Sequence, residues 1–252
     1  MSKGLLIKRV KTGIPGLDDI LSGGIPKGNT ILLLGPAGSG KTIFGLQYIV
    51  NGAEEYGEKG IYISFEQNKE DLLQQALAFD WDLEKLEKEG KIAMFFLKRN
   101  DVFSLTKMLE EVVQNFSPQR VVLDSLTFYY TYATIYAYTE EYIKSTLNPI
   151  RDEMIKYSRE MIARNTILDL VTKLKELGLT SILIAESLDE KREISIAAEL
   201  AEFICDGVIY LTVHRALNLR KLEIVKMRAT EHTLKPQTFR ITNNGIVLGS
   251  ES

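Results

Sequence analysis

Short, almost uninterrupted apolar runs recur along the chain, and between them apolar residues return every three or four positions. Runs of the first kind predict strands covered on both faces, and stretches of the second kind predict amphipathic helices. The first run is "NTILLLG", apolar throughout residues 31–34, followed by a glycine-rich turn and a helix from about Lys41. "KGIYISFEQ" predicts a second strand, and "NKEDLLQQALAFDWDL" a helix with Asn68 as its N-cap and Trp81 as its anchor to the core. "KIAMFFLKR" and "VFSLTKMLEEVVQNF" repeat the strand–helix pair, and "QRVVLDSLT" is a fourth strand that ends in Asp124. After a long helical segment come "TSILIAES" and then "ELAEFICDGVIYLTVHR", a short helix running into a sixth strand. From there the period drops to two: "YLTVHRALNLRKLEIVKMR" and "QTFRITNNGIVLG" predict hairpins, with Asn244-Gly245 as a tight turn. The fold class is therefore α/β: a mainly parallel central sheet flanked by helices, with antiparallel strands added at one edge by the C-terminal part.

One stretch breaks the rhythm. Residues 128–165 hold seven of the eleven tyrosines, read as helical from about Glu140, and carry Pro149 as a break. The stretch is taken as a helical insertion on a single domain spanning residues 1–252.

Composition narrows the classes. The chain is 45% hydrophobic and 26% charged, with a formal charge of −3. No apolar run is long enough to span a bilayer, and the opening returns to charge after three apolar residues. The lone Cys205 sits among apolar neighbours and reads as a core residue; with only two histidines, zinc is excluded. These features predict a cytoplasmic protein. The charge is unevenly placed: residues 215–240 carry seven basic side chains against Glu223 and Glu231, a local +5 that leaves −8 elsewhere. Such a balance disfavours non-specific nucleic-acid binding but leaves a basic strip able to meet a phosphate. Arg215 and Arg220 read as solvated hairpin tips, and His214 as a packing or surface residue.

The chemistry begins at "GPAGSGKT": Gly35, Pro36, Ala37, Gly38, Ser39, Gly40, Lys41 and Thr42, with Ile43 following. Glycines let backbone N–H groups wrap phosphates, Lys41 reaches the β and γ oxygens, and the Thr42 hydroxyl suits Mg²⁺. The strand before and helix after it supply the required context. Asp124, at a strand end, suits the metal shell, and Glu66, at the tip of "YISFEQ", suits the orientation of a water. ATP and Mg²⁺ are the implied ligands.

"TGIPGLDDILSGGIPKGNTILLLGPAGSGKT", "YISFEQ", "VVLDSLT", "LAEFICDGVIYL" and "KMRATEH…FRITNNG" together resemble the KaiC-like ATPases of the RecA/RadA superfamily. The resemblance covers nearly the whole chain outside residues 128–165. It implies a RecA-like core assembled as a hexameric ring with ATP between neighbours. It further implies that Lys226 and Arg228 reach the γ-phosphate on the next subunit. Met227, Thr230, His232, Thr242 and Asn243 match positions that line the nucleotide from that side. Strand alternation would put Lys226, Arg228, Thr230 and His232 on one face. Spacing alone reads as a charged edge strand that blocks aggregation; the resemblance turns the reading toward a role in trans.

Two departures stand out. Members of the family commonly carry adjacent glutamates where this chain has Glu66-Gln67, so Glu66 serves alone and turnover is expected to be slow. The tyrosine-rich stretch is much longer than the pore loop that recombinase relatives place there. It packs its own aromatics or docks a protein partner, in preference to stacking single-stranded DNA. Slow ATP hydrolysis in a ring is the first functional reading; an ATP-dependent DNA-binding recombinase paralogue and an autophosphorylating Ser/Thr kinase are the alternatives.

Overall fold

The computed structural model describes residues 7–136, 152–187 and 195–249. β1 (Arg9–Val10), α1 (Leu17–Ile20) and β2 (Ile25–Pro26) precede β3 (Thr30–Gly35), α2 (Lys41–Glu55), β4 (Gly60–Ser64), α3 (Lys69–Leu77), α4 (Leu83–Lys88), β5 (Ile92–Phe96), α5 (Leu105–Phe116) and β6 (Arg120–Asp124). There follow α6 (Leu126–Tyr136), α7 (Asp152–Glu176), β7 (Thr180–Glu186), α8 (Ile196–Ile204), β8 (Gly207–His214), β9 (Leu219–Met227), β10 (Gln237–Thr242) and β11 (Gly245–Leu248). The sheet has the order β11-β10-β9-β8-β3-β7-β6-β4-β5. Strands β3 to β8 run parallel, and β9, β10 and β11 extend the β8 edge as antiparallel neighbours.

Parallel strands buried on both faces explain the apolar runs, because alternate residues feed different cores. Ile31 and Leu33 of β3, Tyr62 of β4 and Val122 of β6 pack with Phe44, Leu46 and Tyr48 of α2. Leu32, Leu34, Ile61, Ile63, Val121 and Leu123 pack on the opposite face with Leu109 of α5, Tyr129 of α6, Leu170 of α7 and Ala201 of α8. Asn68 caps α3 by accepting from the Asp71 amide at 2.9 Å, and Trp81 stacks on Phe79 at 5.0 Å.

The chain departs from expectation in three places. Helix starts at Leu126, earlier than the expected insertion, and Tyr129 is buried in the core. Much of residues 128–165 thus belongs to α6 and to α7, a single helix running to Glu176. The expected break at Pro149 lies outside the described residues. The two-residue loop of the last hairpin is Asn243-Asn244, closed by the Thr242–Gly245 pair, so Gly245 already belongs to β11. Finally, β9 ends at Met227, opposite Gly207, where β8 begins. Ala229 beyond it is left-handed at φ +56°, so the strand alternation expected through His232 does not run.

Arg120 holds the end of the sheet away from the phosphate loop. It is fully buried, 2.6 Å from the Glu58 carboxylate, and donates to Tyr48 O at 2.9 Å. Its guanidinium also lies over the Tyr48 ring at 4.6 Å. Removing one partner of such a pair leaves an uncompensated charge and a hole. Arg120→Ala is expected to lower unfolding free energy by about 3 kcal/mol in urea titrations; a loss below about 1 kcal/mol would show that the ion pair is ornamental.

Candidate nucleotide site and the basic tip

The phosphate loop leaves β3 and enters α2. Gly38 and Gly40 take φ of +78° and +100°, conformations that only glycine adopts freely. A side chain at Gly35 would come within 2.6 Å of Ser39 Oγ and 2.8 Å of Leu211 O, so glycine is required for close approach as well. Lys41 is buried, and its Nζ donates to Gly35 O at 2.9 Å and Pro36 O at 3.0 Å. Burial lowers its proton affinity, while Glu186, Asp124 and Glu66 oppose that loss.

Strand tips supply those acids. Asp124, at the end of β6, is buried, and its Oδ2 accepts from Thr42 Oγ1 at 2.9 Å and from the Tyr62 hydroxyl at 2.7 Å. Burial raises its carboxyl pKa, and the two hydroxyl donors work against that rise. Glu66 stands exposed past the end of β4, on a turn in which Ser64 Oγ accepts the Gln67 amide at 2.9 Å. Its pKa is raised by desolvation, then by Asp124 and Glu186, with Lys41 opposing. Glu186 ends β7, opposite Gly35 in the register, and its amide donates to Thr127 Oγ1 at 3.0 Å. Together with Ala37, Gly38, Gly40 and Ile43, these residues line a cleft of about 330 Å³. Arg220 and Ile241 close it from the antiparallel edge.

The hydroxyl of Thr42 and the carboxylate of Asp124 form a hard-oxygen pair of the kind magnesium uses, with phosphate and water completing the shell. Among the described residues no three His, Cys, Asp or Glu side chains converge on a self-sufficient metal cage. The donor set therefore fits a metal brought in with a phosphate.

Lys226 and Arg228 are elsewhere. β9 runs antiparallel to β8, so Met227 pairs with Gly207, which is in turn level with Ile31 at the start of β3. The basic tip thus lies at the opposite end of the sheet from its own phosphate loop. A register shift between Val208 and Ile209 leaves Val225 as an extra residue, which turns Lys226 over the C-terminus of α8. There Lys226 Nζ donates to Cys205 O at 2.7 Å and Glu202 O at 2.9 Å. Burial and the neighbouring Arg228 lower its pKa. Arg228 Nη1 lies 3.0 Å from Asp206 Oδ1. Met227 is buried; Thr230 accepts from Arg9 Nη1 at 2.8 Å, and His232 Nδ1 lies 3.1 Å from Thr230 O. Lys226 and Arg228 therefore meet at one junction, while Thr230 and His232 turn away to other partners.

Thr242 and Asn243 do not share that tip. Their hairpin packs on α2 through Gln47, which donates to Ile246 O and accepts from its amide. Ile241, just before them, reaches the phosphate loop: its Cδ1 stands 3.2 Å from where a Gly40 side chain would begin. They lie on the side of the chain's own cleft.

Glu186, Arg220, Asp206 and Arg9 went unread in the sequence as site residues. Arg220 looked like a solvated tip but is half-buried against the cleft, because the extra strands fold the edge over the loop. Glu186 had one signal, an acid ending an apolar run beside the phosphate-loop strand.

A family profile described as "ATPase: KaiC" matches residues 10–155 and 146–252. A protein of Thermotoga maritima described as a UPF0273 protein is 34% identical over 263 residues, covering 96% of each chain. The circadian clock oscillator protein KaiC of Synechococcus elongatus is 29% identical, with 95% of this chain covered; this chain spans 44% of that protein's length. The crystal structure of a KaiC-like protein from Pyrococcus horikoshii superposes with a TM-score of 0.78 at 36% identity, covering 97% of this chain and all of that one. No helix among the described residues is long and apolar enough to cross a membrane. The mainly parallel sheet, the phosphate loop with its acid-tipped strands, and these matches lead to one conclusion: the chain belongs to the KaiC family of ATPases.

Proposed function

We propose that the chain binds Mg-ATP in its own cleft and hydrolyses it slowly at the seams of a ring, hexameric in the arrangement the resemblance implies. One observation carries this reading: the cleft and the basic tip lie at opposite ends of the same sheet. The six residues of β3 alone separate them by roughly 20 Å. Lys226 and Arg228 cannot reach their own cleft, so their use requires a second copy. The cleft is rich in carboxylates, and a cationic tip supplied from outside complements it.

In this reading Lys41 and the loop amides hold the phosphates, and Thr42 and Asp124 hold the metal. Magnesium, when bound, offsets phosphate charge. Glu66 orients a water and takes its proton as the water oxygen bonds to the γ-phosphorus and the bond to ADP breaks. The raised proton affinity of Glu66 suits a base, and Gln67 beside it cannot share the task. Arg228 from the neighbour meets charge that develops on the transferred group, and Lys226 joins it by exchanging the α8 carbonyls that hold its Nζ for phosphate oxygens. Met227, Thr230 and His232 shape that tip, whereas Thr242 and Asn243 serve the chain's own nucleotide.

Arg228→Ala is expected to cut turnover by roughly a thousandfold with nucleotide binding retained, and Glu66→Gln to abolish turnover; near-normal rates in both variants would defeat the roles of finger and base. Mixing Arg228→Ala with Lys41→Ala chains should restore part of the activity, because some seams then join an intact cleft to an intact tip. Glu66 must be ionised to accept a proton. Its raised pKa therefore predicts that turnover falls on acidification at a pH above the ordinary glutamate range, as a pH–rate profile would report. Asp124 also binds its proton more tightly folded than unfolded, so its ionisation opposes folding as pH rises through the carboxylate range. Asp124→Asn should accordingly raise the thermal midpoint at neutral pH without nucleotide. That gain should vanish at acid pH below the usual aspartate range, and magnesium-dependent protection by ADP should be lost.

A further inference from the structure

Asp206 joins four segments of the fold through its backbone and its carboxylate. It sits at the junction of α8 and β8, and its backbone and side chain clamp Thr30, the first residue of β3. Its amide donates to Thr30 O at 2.8 Å, and its Oδ2 accepts the Thr30 amide at 3.0 Å. Its other oxygen, Oδ1, faces two cations: Lys175 Nζ of α7 and Arg228 Nη1, each at 3.0 Å. The Arg228 amide donates to Asp206 O at 2.8 Å, so the residue is held by backbone as well. The Asp206 side chain is only 11% exposed, whereas that of Arg228 is 55% exposed.

Contacts further along fix the rest of the tip. Arg9 donates to Ala229 O at 3.1 Å and to Thr230 Oγ1 at 2.8 Å, and Ser22 Oγ donates to Glu231 O at 2.8 Å. The backbone around Arg228 is thus fastened at Arg228, Ala229 and Glu231, and the Thr230 side chain is held between them. The long side chain itself would otherwise sample many rotamers, and a single buried carboxylate grips it through one nitrogen. A guanidinium held by one nitrogen keeps its remaining donors available for an incoming anion.

We infer that Asp206 is the positioning residue for Arg228, presenting its guanidinium pre-aimed at a phosphate of the adjoining copy; this rests on the role of Arg228 in trans. Asp206 itself touches no nucleotide in this scheme. Its carboxylate sets the direction of the finger, and the β3 clamp makes that direction rigid.

The test uses seams of defined composition, from co-expressed chains carrying different tags. Lys41→Ala chains contribute only a tip, and Arg228→Ala chains only a cleft. Their mixture should turn over ATP; if it does not, the trans reading falls and this inference falls with it. Adding Asp206→Asn to the Lys41→Ala chain should lower kcat of the mixture by about a hundredfold, with KM for ATP unchanged. Adding it instead to the Arg228→Ala chain should cost nothing further, because that chain has no finger left to aim. An equal loss in both arms would mean Asp206 acts only as a structural clamp, and no loss in either would mean it has no role; each result overturns the inference while leaving the trans reading intact. Asp206→Asn alone leaves Lys175 and Arg228 without their shared anion. Should it fail to fold, Asp206→Asn with Lys175→Met removes the surplus charge and is expected to give the same contrast, a loss when carried by the Lys41→Ala chain and none when carried by the Arg228→Ala chain.

Discussion

A buried ammonium needs oxygen around it, and Lys41 dictates where that oxygen comes from. Its Nζ rests on two carbonyls of its own loop, within the field of Glu66, Asp124 and Glu186. Three acids at one place would repel one another without that cation. They are brought together because β3, β4, β6 and β7 are parallel neighbours whose C-terminal ends open on the same side. The acids oppose the loss of proton affinity that burial imposes on the lysine, and the lysine opposes the rise that burial imposes on Asp124 and Glu66. The cleft thus sets Lys41 among three acids.

The antiparallel annex gives the molecule its second pole. Without β9 to β11 the β8 edge would be bare, and the basic stretch of residues 215–240 would have no scaffold. Those strands send Arg220 and Ile241 toward the loop at one end, while the bulge at Val225 turns Lys226 onto α8 at the other. A single strand, β9, thus carries basic residues to both ends of the sheet, and only direction of travel separates them.

Much of this was legible in the residues. The apolar runs marked the parallel strands because burial on both faces leaves no polar alternation to confuse with a surface strand. Gly35 to Thr42 was legible because its glycines meet steric demands that no other residue satisfies. Asp124 and Glu66 could be placed because a strand tip ends where apolar residues stop. What stayed hidden depended on registers between distant segments. Nothing local in "FICDG" says that Asp206 meets Thr30, Lys175 and Arg228, which come from three other elements. The alternation expected through His232 failed for a similar reason: a strand lasts only as long as its neighbour, and β8 starts at Gly207. Tyr129 read as part of an appendage because aromatics on a helix face look alike whether they pack outward or inward.

The Thr30 clamp and the Gly35 turn are the two ends of one six-residue strand, β3, hydrogen-bonded on both flanks. Such a strut barely stretches, so a shift at either extremity is passed to the other with little loss. In a closed ring of copies, each strut would link the seam behind a protomer to the seam ahead of it, always in the same sense. Occupancy of one seam would then be coupled to occupancy of the next, and by linkage equally in both senses around the circle, as in a row of levers mounted head to tail.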